Sequence, residues 1–235
     1  MLCKVNQYHV NKAFTLRYLF LHITIGVLIC ACTDTKNTPK TPSETLLPNT
    51  KTFVYHCNET YRFIARMENN NVWIFLLGQT VSLSPITSAS GAKYTNGDIT
   101  FWIKDEEAFL ETPQQTYRNC KNDRRAAIWE HAKLNGVDFR ATGNEPGWYL
   151  EITRGQNILF VSDYGQNRYT FKTPEPETHP TQPQTIYHTQ NNQHKLTITL
   201  EGRRCQDTMA DEVYATTVTI TFNEKTYRGC GRALH

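Results

Sequence analysis

The chain has 235 residues, with 25 Lys and Arg against 22 Asp and Glu. The first 31 residues hold three of the basic residues and no acidic one, which leaves 22 charges of each sign in the rest of the chain. A chain this close to neutral has no basic stripe for nucleic acid, so we expect no nucleic-acid partner. Recognition should then depend on local fit more than on long-range steering.

Residues 1–31 are typical of a secretory signal. Three basic residues precede or border an apolar run at 19–29, which is too short to span a bilayer, since that takes about 20 residues. Residues 29–32, Ile-Cys-Ala-Cys, resemble a lipobox, in which a cysteine after a small residue is diacylated and becomes the new N-terminus. Cys32 follows an alanine and is the predicted lipidation site, whereas Cys30 follows an isoleucine and fits less well.

The predicted anchor places the protein in the bacterial cell envelope. Thr33 after the lipidated cysteine is compatible with sorting to the outer membrane, facing the periplasm; cleavage near Ala31 without lipidation is the alternative. Residues 32–52 are rich in Thr, Pro, Asn, Ser and Lys and predict a disordered tether, because such a composition buries too little apolar surface to order itself. About 20 such residues reach roughly 25 Å.

The cysteine count predicts two disulfides. The chain has seven cysteines, of which cleavage and lipidation remove three, at positions 3, 30 and 32. Four cysteines in an exported protein allow three pairings, and we favour the one in which each pair brackets a strand-rich segment. That pairing joins Cys57 to Cys120 and Cys205 to Cys230. Since the spacing contains neither CxxC nor HxxxH, we expect no metal site and no cofactor.

A first folded domain is predicted at 53–121. Short strands separated by turns of Gly, Pro and Asn indicate a sandwich or a barrel. The strands are predicted at 53–57, 61–66, 72–77, 80–83, 107–111 and 115–120, with a hairpin between the fourth and fifth of them. Asn96 and Gly97 lie at the centre of that hairpin, and Asn-Gly predicts a two-residue type I′ turn.

The hairpin gives the domain its most informative stretch. Residues 88–91 are small and polar and predict a protruding loop, while apolar side chains alternate along 99–104 and place Lys104 on the face away from the core. A regular two-residue turn sets Ser90 opposite Ile103, on the other face from Lys104. A bulge at Gly91 could bring the two side chains together.

The sequence around the hairpin resembles a known family. SASGAKY at 88–94 and FWIKDEEAFLE at 101–111, between Cys57 and Cys120, are similar to the bacterial membrane-bound inhibitors of C-type lysozyme. The resemblance covers about a third of the chain. It implies a small antiparallel β-barrel, which leaves no open sheet edge. It also implies a partner, C-type lysozyme, whose active-site cleft receives the loop.

The resemblance also implies roles for particular residues. Ser90 and Lys104 are expected to reach the catalytic carboxylates of lysozyme, with Gly91 and Tyr94 in support. One departure is Asp105, where the family commonly has glycine. The structural alternative makes Ser90 a turn residue and Lys104 a solvated lysine that discourages strand aggregation.

Aromatic residues near the hairpin are candidates for interface anchors, because such residues are enriched in binding hot spots. Alternation places Phe101 in the core. Trp102, on the Lys104 face, suits an interface role and a structural role equally well.

Residues 122–135 predict a connecting helix, with Asp123 as N-cap and Asn135 and Gly136 at its end. Two placements are open: the helix belongs to the first domain alone, or it packs against both domains.

A second β-rich domain is predicted at 136–235. Its strands are expected at 137–142, 148–152, 158–163, 169–172, 196–200, 214–222 and 226–234. The proline-rich stretch 173–185 predicts an extended loop without regular pairing. FRATGNEPGW, CQDTM and YRGCGRAL resemble an uncharacterised bacterial lipoprotein domain, which supplies no biochemical role. The predicted fold class is therefore all-β: a small antiparallel barrel, a connecting helix and a second antiparallel β domain.

An enzymatic function is the least favoured. Glu145 and Asp207 suggest a carboxylate pair, but Glu145 lies in a turn sequence and Asp207 is suited to capping backbone amides near a disulfide. A tight pocket around either residue would favour a hydrolase. The remaining candidates are His179, His188 and His194, which lack acids or cysteines at ligand spacing and are predicted to be solvated.

The sequence therefore favours a lipid-anchored inhibitor of C-type lysozyme that protects the cell wall and is not an enzyme. The alternative is an envelope lipoprotein that binds cell-wall glycan or a protein partner without inhibiting lysozyme. Asp105 favours that alternative, because its carboxylate could neutralise Lys104 and repel the carboxylates of lysozyme.

Overall fold

A computed structural model describes residues 50–58, 61–178 and 181–235. The signal segment, Cys32, most of the predicted tether and His179 lie outside these residues. The described part is mostly β-strand with a single α-helix, as predicted for an all-β protein. It falls within one compact unit, and the bounds of the two domains remain a prediction.

The first of the described residues form a closed antiparallel barrel of eight strands, each paired with the next in sequence, with β8 returning to β1. This confirms the predicted small barrel. The strands are β1 Lys51–Cys57, β2 Tyr61–Glu68, β3 Asn71–Leu76, β4 Gln79–Ile86, β5 Ala92–Thr95, β6 Thr100–Lys104, β7 Glu107–Glu111 and β8 Thr116–Asn122.

Alternate side chains from these strands fill the barrel. Phe63 and Phe101 are almost fully buried, and their rings meet edge to face with centroids 5.8 Å apart. Tyr55 stacks on Phe63 at 5.3 Å, and its burial raises the pKa of its hydroxyl. Where the barrel closes, Cys57 lies directly opposite Cys120, and the two form a disulfide.

The predicted two-residue turn of the central hairpin is wrong. Thr95 pairs with Thr100, so the loop has four residues, at 96–99. The Asn96 side chain explains the difference, because its Oδ1 accepts hydrogen bonds from the backbone N–H of Asp98 at 3.2 Å and of Ile99 at 2.8 Å. The register moves by two residues, and Ala92 instead of Ser90 lies opposite Ile103.

The helix α1, Arg124–Leu134, has the predicted caps and is slightly shorter than the predicted range 122–135, because Asn122 is the last residue of β8. The Asp123 carboxylate accepts a hydrogen bond from the Ala126 N–H at 2.9 Å, and Asn135 is the C-cap. On the barrel side, Glu130 forms a salt bridge with Arg62 of β2 at 2.8 Å. On the other side, Trp129 lies 5.2 Å from the ring of Tyr214. Of the two placements left open by the sequence, the structure has the helix packing against both β structures.

His131 joins the helix to β1. Its Nδ1 lies 3.1 Å from the Thr52 hydroxyl and its Nε2 lies 2.9 Å from the Asn135 amide nitrogen. Burial lowers the pKa of His131, and the nearby charges of Arg66 and Arg140 lower it further against an opposing effect of Glu151. A neutral ring that accepts from Asn135 and donates to Thr52 satisfies both contacts.

The rest of the chain forms a nine-stranded antiparallel sheet that curves into a half-barrel, with the order β12-β11-β10-β9-β19-β18-β15-β14-β13. A separate hairpin, β16–β17, packs beside β19. The bounds are β9 Phe139–Asn144, β10 Gly147–Ile152, β11 Asn157–Ser162, β12 Asn167–Lys172, β13 Glu177–Thr178, β14 Gln184–Gln190, β15 Lys195–Glu201, β16 Cys205–Asp207, β17 Glu212–Tyr214, β18 Thr216–Phe222 and β19 Lys225–Ala233.

The sequence missed four strands of this part, β13, β14, β16 and β17, since the predicted strand 214–222 contains all of β18 but only the last residue of β17. The stretch 173–185 is not wholly unpaired, because Glu177 and Thr178 pair with Ile186 and Thr185 of β14. The short strand β13 lies at the edge of the sheet, where prolines nearby are tolerated.

The second disulfide joins Cys205 to Cys230, so both predicted disulfides are confirmed. No helix of the described residues is long and apolar enough to cross a membrane. Within the same residues, no group of three or more His, Cys, Asp or Glu side chains is arranged to hold a metal ion.

Candidate functional site

The predicted loop lies at one end of the barrel. Residues 87–91 connect β4 to β5, and the turn at 105–106 connects β6 to β7 at that same end, because neighbouring strands run in opposite directions. Strands β5 and β6 are directly paired and so lie about 4.8 Å apart. The topology therefore places Ser90 and Lys104 at a common end of the barrel.

Trp102 holds the loop in place. Its indole N–H donates a hydrogen bond of 2.9 Å to the carbonyl oxygen of Ser90, and the Ser88 hydroxyl donates to the same oxygen at 2.7 Å. Trp102 and Lys104 are on the same face of β6, so these bonds draw the loop toward the lysine face. Trp102 thus has a structural role in the loop, and an interface role for its half-buried ring stays a prediction.

Gly91 lets the loop approach β6. Its φ of +68° lies in the left-handed region, and a Cβ at this position would sit 2.2 Å from the carbonyl oxygen of Ile103. The same Cβ would lie 3.0 Å from the indole nitrogen of Trp102. Both the backbone angle and the space therefore require glycine. This is where the sequence suggested a bulge.

The two side chains predicted to contact a partner are exposed. Ser90 is exposed in the loop, and Lys104 is exposed at the end of β6, with Glu107 as its cross-strand neighbour. Over the described ranges, the Ser90 hydroxyl makes no hydrogen bond and Lys104 makes no salt bridge. Tyr94 differs, since it is half-buried and packs against the barrel core with its ring 6.5 Å from that of Phe101.

Asp105 has a conformational reason for its position. It is the first residue of the β6–β7 turn and has a φ of +55°. Glycine adopts this angle most easily, and Asp is among the few other residues that tolerate it. The next residue, Glu106, forms a salt bridge of 2.6 Å with Arg124 at the start of α1. The Glu106 carboxylate of this turn therefore has a basic partner. The Asp105 carboxylate, next to Lys104 in the sequence, has no salt-bridge partner among the described residues.

The carboxylate pair considered from the sequence gains no support. Asp207 is buried and accepts hydrogen bonds from the Asn144 side chain at 2.8 Å and from the Met209 N–H at 3.0 Å, as expected of a capping residue. Glu145 is exposed in the turn between β9 and β10.

The described histidines of the proline-rich region differ from each other. His188 is exposed, as predicted. The prediction for His194 is wrong, because its half-buried ring lies 4.9 Å from that of Tyr169 and 5.0 Å from that of Phe222.

The structure thus defines a small closed β-barrel whose loop at 87–91, tied to Trp102, presents an exposed hydroxyl at the same end of the barrel as an exposed ammonium. Residues 55–119, all within this barrel, match the family model described as membrane-bound lysozyme-inhibitor of c-type lysozyme. The family resemblance is confirmed for this part of the chain.

A curated relative from Yersinia enterocolitica, named "Membrane-bound lysozyme inhibitor of C-type lysozyme", is 32% identical over 73 residues. The matched segment is 31% of this chain and 62% of the relative, so the chain spans less than two thirds of the relative's length. No solved structure gave a significant match.

Proposed function

We propose that the barrel inhibits C-type lysozyme by placing the loop at 87–91 in the active-site cleft of the enzyme. The observation that carries this proposal is the rigid exposed loop, with Ser90 and Lys104 unpaired at one end of a barrel that matches the inhibitor family. The name of the Yersinia relative points to the same partner.

The chemistry of the cleft suits these two side chains. C-type lysozyme cleaves between two carboxyl groups, one protonated and one ionised. A serine hydroxyl can donate to an ionised carboxylate or accept from a protonated one, and a lysine ammonium compensates the ionised one. The pair fills the substrate site without offering a glycosidic bond. We therefore assign no catalytic residue to the barrel and propose that the protein is not an enzyme.

The fixed loop also favours tight binding. Ordering a flexible loop on binding costs free energy, and here the Trp102 hydrogen bond and the close approach of Gly91 to Ile103 hold the loop before the partner arrives. This matters for a chain near neutrality, in which affinity depends on local complementarity more than on long-range attraction.

The anchor is a separate part of the proposal. Lipidation at Cys32 would hold the inhibitor at the membrane, with residues 33–50 as a spacer before β1. Outer-membrane attachment facing the periplasm places the barrel where lysozyme reaches the cell wall. The name of the relative, which includes "membrane-bound", supports envelope association.

Binding of cell-wall glycan or an envelope protein without inhibition remains the second candidate. Its sequence support was Asp105, whose carboxylate would oppose a contact with lysozyme. The left-handed backbone at position 105 is an angle that Asp tolerates, and this explains the residue without reference to a partner. Asp in place of glycine is therefore not, on its own, evidence that the contact with lysozyme has been lost.

The test is inhibition of cell-wall hydrolysis by a C-type lysozyme, titrated with the full-length chain in mild detergent. Ser90→Ala and Lys104→Ala should each weaken inhibition about 30-fold or more, because truncating a desolvated, hydrogen-bonded contact costs about 2 to 5 kcal/mol. Ser82→Ala, in the middle of β4, and Lys172→Ala, in the second sheet, are the matched controls. A wild-type chain that leaves lysozyme active at micromolar concentration would reject the proposal.

A further inference from the structure

A large cleft among the described residues has no role in the proposed inhibition. It lies between α1 and the outer face of β10, β11 and β12, with the start of β1 at one side, and has a volume of about 930 Å³. Small-ligand sites usually have volumes of about 300 to 1,000 Å³. The cleft exists only because the helix packs against both β structures.

Tyr149 of β10 forms the floor of the cleft. The Arg140 guanidinium lies over its ring, 4.6 Å from the centroid, and Nη1 of Arg168 donates a hydrogen bond to its hydroxyl at 3.2 Å. Arg140 is buried and forms a salt bridge with Glu151 on the neighbouring strand. The floor is therefore rigid, and Arg168 is the exposed cation at its edge.

The charge lining the cleft is positive. Four of its lining residues are Lys or Arg and one is Glu. Glu151 compensates Arg140, and Glu106, outside the cleft, compensates Arg124. The remaining cations are Lys51 and Arg168, and neither has a salt-bridge partner within the described part of the chain. Two uncompensated cations in one cleft favour an anionic ligand.

The other lining groups indicate what carries the negative charge. Exposed amide and hydroxyl side chains of Gln156, Asn157 and Thr170 line the cleft, and they suit hydroxyl and acetamido groups. Leu159 and Ile128 supply apolar surface, with Ile128 52% exposed on the helix. A sugar ring, which has apolar faces and a polar rim, matches this mixture better than a bare inorganic anion does.

We propose that this cleft binds an acidic amino sugar, with the carboxylate on Arg168 and the ring between Ile128 and Leu159. The proposal concerns a site apart from the loop at 87–91 and does not depend on lysozyme inhibition.

N-acetylmuramic acid, N-acetylglucosamine and lactate provide a direct test. The first differs from the second by a lactyl ether that carries the carboxylate, and lactate supplies that acid without the ring. Saturation-transfer NMR with the full-length chain in mild detergent detects the weak binding expected of such small ligands. We expect N-acetylmuramic acid to bind at least about tenfold tighter than N-acetylglucosamine, as for the loss of one charge-assisted hydrogen bond. It should also bind tighter than lactate, which keeps the carboxylate but lacks the ring that contacts the apolar side chains.

Two variants connect the signal to the cleft. Arg168→Ala should weaken binding of N-acetylmuramic acid about tenfold or more. Lys172→Ala removes a lysine from the same strand outside the cleft and should leave binding unchanged. Circular dichroism of each variant, compared with the wild type, establishes that the sheet is intact.

Four results would overturn the proposal. The first is equal binding of the neutral and acidic sugars, and the second is loss of binding in Lys172→Ala to the same extent as in Arg168→Ala. The third is binding of lactate or inorganic phosphate as strong as that of N-acetylmuramic acid, which would indicate a simple anion site. Absence of any signal from N-acetylmuramic acid would also reject it.

Discussion

Replacing Gly91 with alanine should separate the geometry of the loop from the stability of the barrel. The new Cβ would lie 2.2 Å from the carbonyl oxygen of Ile103, so the loop must move away from β6 by about 1 Å to restore a normal contact. A left-handed backbone at an alanine costs about 1 to 2 kcal/mol. Loss of the Trp102 hydrogen bond to Ser90 adds about 1 kcal/mol.

These contributions add up to about 2 to 3 kcal/mol for returning the loop to its binding geometry. If lysozyme binds only that geometry, its apparent affinity falls by the same free energy, which is roughly 30- to 150-fold. The barrel itself should remain folded, since its core and its closing disulfide do not involve Gly91.

The assay is titration of cell-wall hydrolysis by a C-type lysozyme, together with the NMR resonance of the Trp102 indole N–H. Gly97→Ala is the matched control, because Gly97 has a φ of +99°, has no atom within 4 Å of a Cβ position, and lies at the opposite end of the barrel. It should lose some stability and keep full inhibition. A Gly91→Ala chain that inhibits as well as wild type, with its Trp102 resonance displaced, would refute the link between loop geometry and inhibition.

Three other predictions concern charge, crosslinking and pH. Asp105→Asn removes a carboxylate beside Lys104 and keeps a residue that tolerates positive φ, so it should strengthen inhibition of lysozyme a few-fold. Unchanged inhibition in the same titration would show that this charge does not face the enzyme. Replacing Cys205 and Cys230 together with serine should lower the free energy of unfolding by about 3.5 kcal/mol in urea denaturation, from the loop of 25 residues that the disulfide closes. Burial lowers the pKa of His131 in the folded protein, so the unfolded chain binds the proton more readily than the folded one. The free energy of unfolding should therefore decrease as the pH falls below about 6.5, the ordinary pKa of histidine. His131→Gln should reduce this decrease in the free energy of unfolding, whereas His188→Gln, at an exposed site, should leave the decrease unchanged. The same pH dependence in both variants, measured by urea denaturation, would show that His131 does not cause it.

The barrel and the helix were largely predictable because local signals agree with the final packing. Asp123 and Asn135 mark the helix ends in the sequence as in the structure, and alternation along β6 separates buried Phe101 from exposed Lys104. The register of the hairpin was not predictable from Asn-Gly alone. The Asn96 side chain competes with the two-residue turn by binding two backbone amides of its own loop.

Other features depend on contacts that no local pattern records. The role of Trp102 becomes clear only from its hydrogen bond to Ser90, twelve residues away. The strand β13 lies beside prolines that argued against pairing. The cleft under α1 is lined by side chains from the first and second β structures, and only the fold brings Lys51 and Arg168 to the same cleft.

The central claim, that the loop at 87–91 occupies the active-site cleft of lysozyme, is tested most directly by competition. The measurement is the dissociation constant of the full-length chain for a C-type lysozyme, with and without a saturating chitooligosaccharide that fills the cleft. If the loop enters the cleft, only enzyme without bound sugar can bind it, so the apparent affinity must fall by a factor of one plus the ratio of the sugar concentration to its dissociation constant. That factor is about 11 when the sugar is present at about ten times its own dissociation constant. An affinity that is unchanged by the sugar would place the contact elsewhere on the enzyme and contradict the account.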